Sequence, residues 1–154
     1  MGIDPGPVQS AVVILDDAGR IVSRNILDNE DLKEWLPTLG CEENYHLCIE
    51  MIASYGMPVG QEVFETCVWA GKFMAWWGNN DSCKRLTRIA IKNHICHSSR
   101  ANDMNIRQAL IDRYGAPGKK NSPGATYGFK ADMWAALAVA TTAFDKRNEL
   151  YGLS

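Results

Sequence analysis

Apolar residues in the first part of the chain form short runs separated by turn-forming residues. Residues 10–17 contain the continuous run Val12–Leu15, which predicts a strand covered on both faces. A three-residue strand precedes it and ends at Asp4, because Pro5-Gly6-Pro7 cannot continue a strand ladder. A hairpin turn at 17–20 leads to a third strand over 21–27, with Ile21 and Val22 facing inward. The chain therefore opens with three antiparallel strands and an acid at the end of the first.

The pattern then changes to alternating strands and helices. Asn29 is predicted to cap a helix over 30–36. The run 45–52 predicts a buried fourth strand interrupted by Glu50. Apolar residues at helical spacing predict a long helix over 61–77, and residues 86–92 predict a fifth strand.

The last third combines two helices with a loop between them. Asn102 or Asp103 is predicted to cap a helix that Gly115 ends. Residues 116–129 are basic and rich in Gly and Pro, which predicts a mobile active-site loop. A final helix over about 130–149 has many small residues, which allow close packing on a sheet, and Asp132 lies in its first turn.

This order of elements predicts one α/β domain over residues 1–154. Three antiparallel strands followed by parallel strands form a mixed five-stranded sheet, with helices on both faces. That arrangement is the ribonuclease H-like fold. No internal repeat or second domain is indicated.

Composition limits the classes of function. Hydrophobic residues make up 46% of the 154 residues, which is enough for a packed core. No run reaches the roughly 18 apolar residues of a membrane helix. The five cysteines form no Cys-x-x-Cys pair, which indicates reduced thiols in a cytoplasmic protein. The formal net charge of −2 means that contact with nucleic acid would need a local basic patch.

Three acids form the main candidate site. Asp4, Glu50 and Asp132 come from the first strand, the fourth strand and the last helix, and they converge if those strands are neighbours. Converging carboxylates repel one another, and a hard cation such as Mg²⁺ or Mn²⁺ relieves the repulsion. Two such ions about 4 Å apart hydrolyse phosphodiesters in many nucleases. Asp103 and His97 are possible additional ligands, although Asp103 fits a helix cap better.

Each acid also has an ordinary structural explanation. Asp4 is suited to capping a turn, Glu50 to ending a strand in solvent, and Asp132 to the positive end of a helix. Candidate contacts to DNA phosphates come from five basic residues, each of which is also compatible with a simple solvated charge. These residues are Arg88, Lys92, Arg100, Lys119 and Lys120.

Four motifs in order resemble the RuvC-type Holliday junction resolvases, in particular the phage-encoded branch. They are Gly2-Ile3-Asp4-Pro5-Gly6, Cys48-Ile49-Glu50, Ile91-Lys92 and the segment 130–140. The resemblance implies a homodimer that cuts four-way DNA junctions with paired, metal-dependent nicks in a bacterial or phage-infected cell. One position departs from the pattern: the last helix usually carries two acids three residues apart, and Ala135 replaces the second.

Three other functions stay open at this point. One is an RNA-processing nuclease of the same fold. Another is a junction-binding protein that lost an acid and with it the cleavage activity. The third is a fragment of an actin-like ATPase, which the length of the chain disfavours because that class needs two such domains.

Overall fold

The computed structural model describes residues 1–153, so Ser154, the last residue of the predicted domain, lies outside the described part. The strands are β1 (Gly2–Asp4), β2 (Gln9–Leu15), β3 (Ile21–Asp28), β4 (Leu47–Met51), β5 (Cys83–Thr87), β6 (Gly118–Lys119) and β7 (Ser122–Pro123). The helices are α1 (Asn29–Gly40), α2 (Gln61–Trp77), α3 (Arg88–Cys96), α4 (Asp103–Tyr114), α5 (Ala131–Asp145) and α6 (Arg147–Tyr151). Within residues 1–153, none of these helices has the length and apolar character needed to cross a membrane.

The main sheet has five strands in the order β3-β2-β1-β4-β5. β1 pairs with β2, and β2 with β3, in antiparallel fashion. β4 pairs with β1 and with β5 in parallel fashion. This confirms the predicted mixed α/β sheet and places β1 and β4 side by side.

Each face of the sheet has its own hydrophobic core. On one face α5 packs over β1 and β2, with Val13 and Leu137 fully buried in that core. On the other face α1 and α2 pack together, and Ile49, Phe73 and Trp77 lie in the second core. The continuous apolar run in β2 is explained because Val12 and Val13 face different cores.

Small residues bring α5 unusually close to the sheet. A side chain added at Gly2 of β1 would meet backbone atoms of Ala136 and Ala140 in α5. Both alanines are buried. The predicted small-residue face of the last helix is therefore the surface that contacts β1.

Three predictions for the β3–α1 region are wrong. Val22 was predicted to face inward, but it is 59% exposed because its neighbours Ile21 and Ser23 occupy the inner positions of the alternating strand. Asn29 was predicted to cap α1, but Asp28 holds the cap position and Asn29 is the first helical residue, 1% exposed. Pro37, predicted to end the helix, lies inside it.

The predicted fifth strand over 86–92 is also wrong in its extent. β5 ends at Thr87, whose hydroxyl accepts a hydrogen bond from the backbone N–H of Ala90 and caps α3. Lys92 therefore belongs to a helix. The segment 86–92 is too short for its apolar residues, such as Leu86 and Ile91, to distinguish the two-residue period of a strand from the 3.6-residue period of a helix.

The remaining segments follow the predicted plan with more structure than expected. Asn102 and Asn105 form a reciprocal capping box at the start of α4, so Asp103 is not the cap. Within 116–129 the chain forms the small β6–β7 hairpin. The last predicted helix is divided at Lys146 into α5 and α6.

Candidate active site

Asp4 ends β1 beside a tightly fixed turn. Ser10 Oγ accepts a hydrogen bond from the backbone N–H of Gly6 at 3.2 Å and donates one to Asn29 Oδ1 at 2.6 Å. Asn29 Nδ2 donates to the carbonyl oxygen of Gly6 at 2.9 Å. A side chain at Gly6 would collide with the carbonyl oxygen of Gln9. The backbone next to Asp4 is therefore held by a buried polar network.

The sheet and α5 bring the other two acids toward Asp4. Ile3 pairs with Ile49 in the parallel ladder, so the next residues, Asp4 and Glu50, occupy the same edge of the sheet. Asp132, in the first turn of α5, lines a cavity of about 350 Å³ together with Asp4 and the turn residues 5–9. Asp4 thus has Glu50 at the same edge of the sheet and Asp132 across the cavity.

Electrostatics at Asp4 reflect this convergence. Burial, and then the negative charges of Glu50 and Asp132, raise the pKa of Asp4 to about 7. Asp103 adds to the effect, and Arg88 opposes it. Burial also raises the pKa of Glu50, although Arg88 acts in the other direction. A partly buried carboxylate close to other negative charges, such as that of Asp4, would be stabilised by a cation bound beside it.

Arg88, the first residue of α3, forms a bridge between two of the acids. Its Nη1 lies 3.2 Å from Glu50 Oε2, and its Nη2 pairs with Asp103 Oδ1. Burial alone would lower the pKa of Arg88, but Glu50 and Asp103 outweigh it and raise that pKa. Asp103, predicted as an additional ligand, therefore pairs with an arginine at the rim of the site.

The acids provide the donor chemistry of a divalent cation without forming a complete ligand set. Carboxylate oxygens are the ligands that Mg²⁺ and Mn²⁺ prefer, and the pKa of Asp4 is raised first by burial and then by the negative charges of Glu50 and Asp132. Within residues 1–153, however, no three acidic, His or Cys side chains are grouped closely enough to hold one ion. Glu50 is paired with Arg88 in this conformation.

The other predicted contact residues lie at varying positions. Lys92 is one turn beyond Arg88 on α3, and its charge lowers the pKa of Glu50 in opposition to burial. His97, exposed with a φ of 55°, caps the opposite end of α3 from Arg88. Arg100 is exposed in the following loop, and Lys119 and Lys120 are exposed in the hairpin. Residues 125–130 connect that hairpin to α5 and hence to Asp132.

Sequence reasoning missed two parts of this site. Ser10 and Asn29 lie 19 positions apart, and no local pattern indicates that they form a buried pair. The pairing of Arg88 with Glu50 and Asp103 joins three segments of the chain. The sequence signal for this pairing is Arg88 itself, a basic residue that directly follows β5, and β5 pairs with the strand that carries Glu50.

Comparison with known proteins gives matches among solved structures only. No protein-family model and no curated protein sequence matches the chain. The structure of Thermus thermophilus RuvC in complex with Holliday junction substrate superposes with a TM-score of 0.68 at 17% identity, covering 97% of this chain and 94% of that one. A second Thermus thermophilus RuvC structure gives a TM-score of 0.68 at 15% identity, covering 97% and 95%. The protein therefore has the RuvC-type, ribonuclease H-like fold.

Proposed function

We propose that this protein is a metal-dependent endonuclease that cleaves branched DNA such as Holliday junctions. The observation that carries the proposal is the placement of Asp4, Glu50 and Asp132 at one edge of the sheet in a RuvC-type fold. One of the similar structures contains a Holliday junction substrate. Hydrolysis of a phosphodiester in such a site needs carboxylates for a cation and basic groups for DNA, and the chain has both.

Asp4, Glu50 and Asp132 are the residues that would hold Mg²⁺ or Mn²⁺, with one or two ions. A bound cation of this kind supplies an activated water and stabilises the leaving oxygen of the phosphodiester. The chain itself would contribute by holding these acids in position. The network of Ser10, Asn29 and Gly6 fixes the turn beside Asp4, and the packing of α5 on β1 sets where Asp132 lies.

Basic residues around this edge would bind the DNA backbone. Arg88 contacts Glu50, and Lys92, one turn further along α3, also lowers the pKa of that carboxyl group; Arg100, Lys119 and Lys120 are exposed. Because the formal net charge is −2, these local charges must supply the attraction for phosphate. A homodimer would place two sites on a two-fold symmetric junction.

The direct test is cleavage of a synthetic four-way junction with labelled strands in Mg²⁺ and in Mn²⁺. We expect paired nicks by the wild-type protein and at least a hundredfold loss of rate for Asp4→Asn, as for removal of a metal ligand. Asp17→Asn, which removes an exposed acid in the β2–β3 turn, is the matched control. Equal cleavage by wild-type protein and Asp4→Asn would reject the proposal, and a parallel RNA substrate panel separates it from RNA processing.

A second function has a specific observation in its favour. Glu50 is already paired with Arg88, and Ala135 stands where the resolvase pattern has a further acid. Both features fit a junction-binding protein with weakened catalysis. That protein would bind four-way junctions tightly, cleave them in neither Mg²⁺ nor Mn²⁺, and keep its affinity in the Asp4→Asn variant.

A further inference from the structure

Arg88 occupies a position that the local backbone does not favour for a cation. It is the first residue of α3, and Thr87 caps the helix through the N–H of Ala90. The N-terminus of a helix carries partial positive charge, which disfavours a guanidinium group there. The two carboxylates that Arg88 contacts, those of Glu50 and Asp103, compensate for this placement.

The two contacts of Arg88 differ in their surroundings. The Glu50 side chain is 13% exposed, and its oxygens lie 3.2 and 3.4 Å from Arg88 Nη1. These distances exceed the 2.7–2.9 Å typical of a charge-assisted hydrogen bond. Asp103, in contrast, is 83% exposed and is contacted by the other guanidinium nitrogen, Nη2. The inner pairing is therefore loose, and the outer pairing persists if the inner one is lost.

Arg88 is also the positive charge in direct contact with these acids, and they outnumber it. Its charge acts on Asp4 as well as on Glu50 and Asp103, while Asp132 adds a further negative charge at Asp4. One guanidinium cannot neutralise four carboxylates, and its planar fork reaches only two of them. The arrangement resembles a partly filled cation site in which a side chain supplies the charge.

We infer that Arg88 is a positioning residue that competes with a divalent cation for the Glu50 carboxylate. Without a cation, Arg88 holds Glu50 toward α3. When a cation binds, Glu50 changes partner, and Arg88 remains paired with Asp103 at the rim of the site. This inference rests on the proposed function, because it takes Glu50 as a ligand of the cation.

Removing the guanidinium should therefore strengthen cation binding instead of weakening it. A substitution at Arg88 removes both a competitor for Glu50 and a like charge near the cation. We expect the dissociation constant for Mn²⁺ to fall roughly two- to fivefold in Arg88→Gln, the upper part of the range expected for losing a partly exposed ion pair. A residue that only supported the fold would leave this constant unchanged or raise it.

The experiment is isothermal titration calorimetry of Mn²⁺ into the full chain, compared among wild type, Arg88→Gln and Arg85→Gln. Arg85 is an exposed residue of β5, so its substitution removes the same charge and serves as the matched control. We expect tighter binding only in Arg88→Gln. A larger rise of its melting temperature on adding Mn²⁺ gives an independent measure of the same effect.

The outcomes separate this inference from the proposed function. Wild-type binding of Mn²⁺ with equal or weaker binding by Arg88→Gln would overturn the inference and leave the nuclease proposal standing. Absence of binding in every variant would overturn both. If Arg88→Gln does not fold cooperatively, Arg88→Met replaces it, since methionine keeps a long flexible side chain and removes the charge. Tighter Mn²⁺ binding is expected there also, and equal or weaker binding overturns the inference.

Discussion

Asp4, a proposed cation ligand, carries a cost to the folded state. The side chain is half-buried at the end of β1 and faces the negative charges of Glu50, Asp132 and Asp103, with Arg88 as the opposing charge. Its pKa is raised to about 7 from an ordinary value of 3.8. The folded protein therefore holds a proton on Asp4 over a pH range in which the unfolded chain has released it.

This difference predicts how stability depends on pH in metal-free protein. Since the folded state binds more protons than the unfolded state between about pH 4 and pH 7, the free energy of unfolding falls as pH rises through that window. The substitution Asp4→Asn removes this titrating group and, with it, its contribution to the pH dependence of stability. We expect the stability advantage of the variant over wild type to be about 2 kcal/mol larger at pH 8 than at pH 5, and to vanish only below about pH 4, where both states bind the proton.

Urea denaturation in a chelator at the two pH values measures this difference. The exposed acid Asp17, substituted by Asn, should leave the pH profile unchanged. A variant Asp4→Asn that is destabilised to the same extent at both pH values would show that Asp4 has a structural role instead. Added Mg²⁺ should restore wild-type stability at pH 8, because a cation bound to the folded state stabilises it.

At the scale of elements, the packing of α5 against β1 determines the relation between Asp4 and Asp132. Gly2 lies directly below the backbone of α5, where an added methyl group would meet Ala136 and Ala140. Because these contacts are with backbone atoms, the helix itself must move away from the sheet. The first turn of α5, which carries Asp132, would move with it.

Gly2→Ala is therefore expected to lower both stability and activity. Overpacking of this kind costs about 2 kcal/mol or more, and junction cleavage should fall because the acids separate. Gly71→Ala in α2 is the matched control, since a side chain there meets nothing within 4 Å, and alanine favours a helix. Thermal denaturation and junction nicking of both variants test the expectation, and wild-type behaviour of Gly2→Ala would contradict it.

Much of this arrangement follows from patterns in the sequence. Pro5 and Gly6 require β1 to end at Asp4, and the apolar run before Glu50 predicts a central strand. A strand next to β1 then brings Glu50 to the same edge. The alanines of the last helix predict its close packing on the sheet.

The parts that could not be predicted depend on contacts between distant segments. Asn29 has the residue type of a cap, but a buried hydrogen bond to Ser10 outweighs that local preference. The segment 88–92 has apolar residues compatible with either period, and the Thr87 cap decides for a helix. The pairing of Arg88 with Glu50 and Asp103 joins residues of β4, α3 and α4, and no single one of these segments indicates it.

At the scale of the whole molecule, α2 is apolar on two sides. Its inner side contributes Phe73 and Trp77 to the core. Its outer side exposes Phe64 by 62% and Val68 by 53%, beside the half-buried Trp69. Two other aromatic residues of α2, Trp69 and Trp76, are partly buried and pack against the same core.

An exposed apolar helix face of this kind typically marks a protein interface. The segment before α2 also exposes apolar side chains, those of Tyr55, Met57 and Val59. A second copy of the chain is the partner that the proposed function requires, because two nicks across a symmetric junction need two sites. We therefore predict that the outer face of α2 forms the dimer interface.

Phe64→Glu tests this by placing a charge in the centre of that face. We expect the dimer dissociation constant to rise at least about a hundredfold, equivalent to ~2.7 kcal/mol, as measured by sedimentation equilibrium. Val22→Glu is the matched control, because Val22 is 59% exposed on β3, away from α2. The monomeric variant should retain the Mn²⁺ affinity of the wild type and lose the coupling between the two nicks, since each site is built within one chain. A wild-type protein that stays monomeric at micromolar concentration, or a Phe64→Glu variant that dimerises normally, would contradict the assignment of this face.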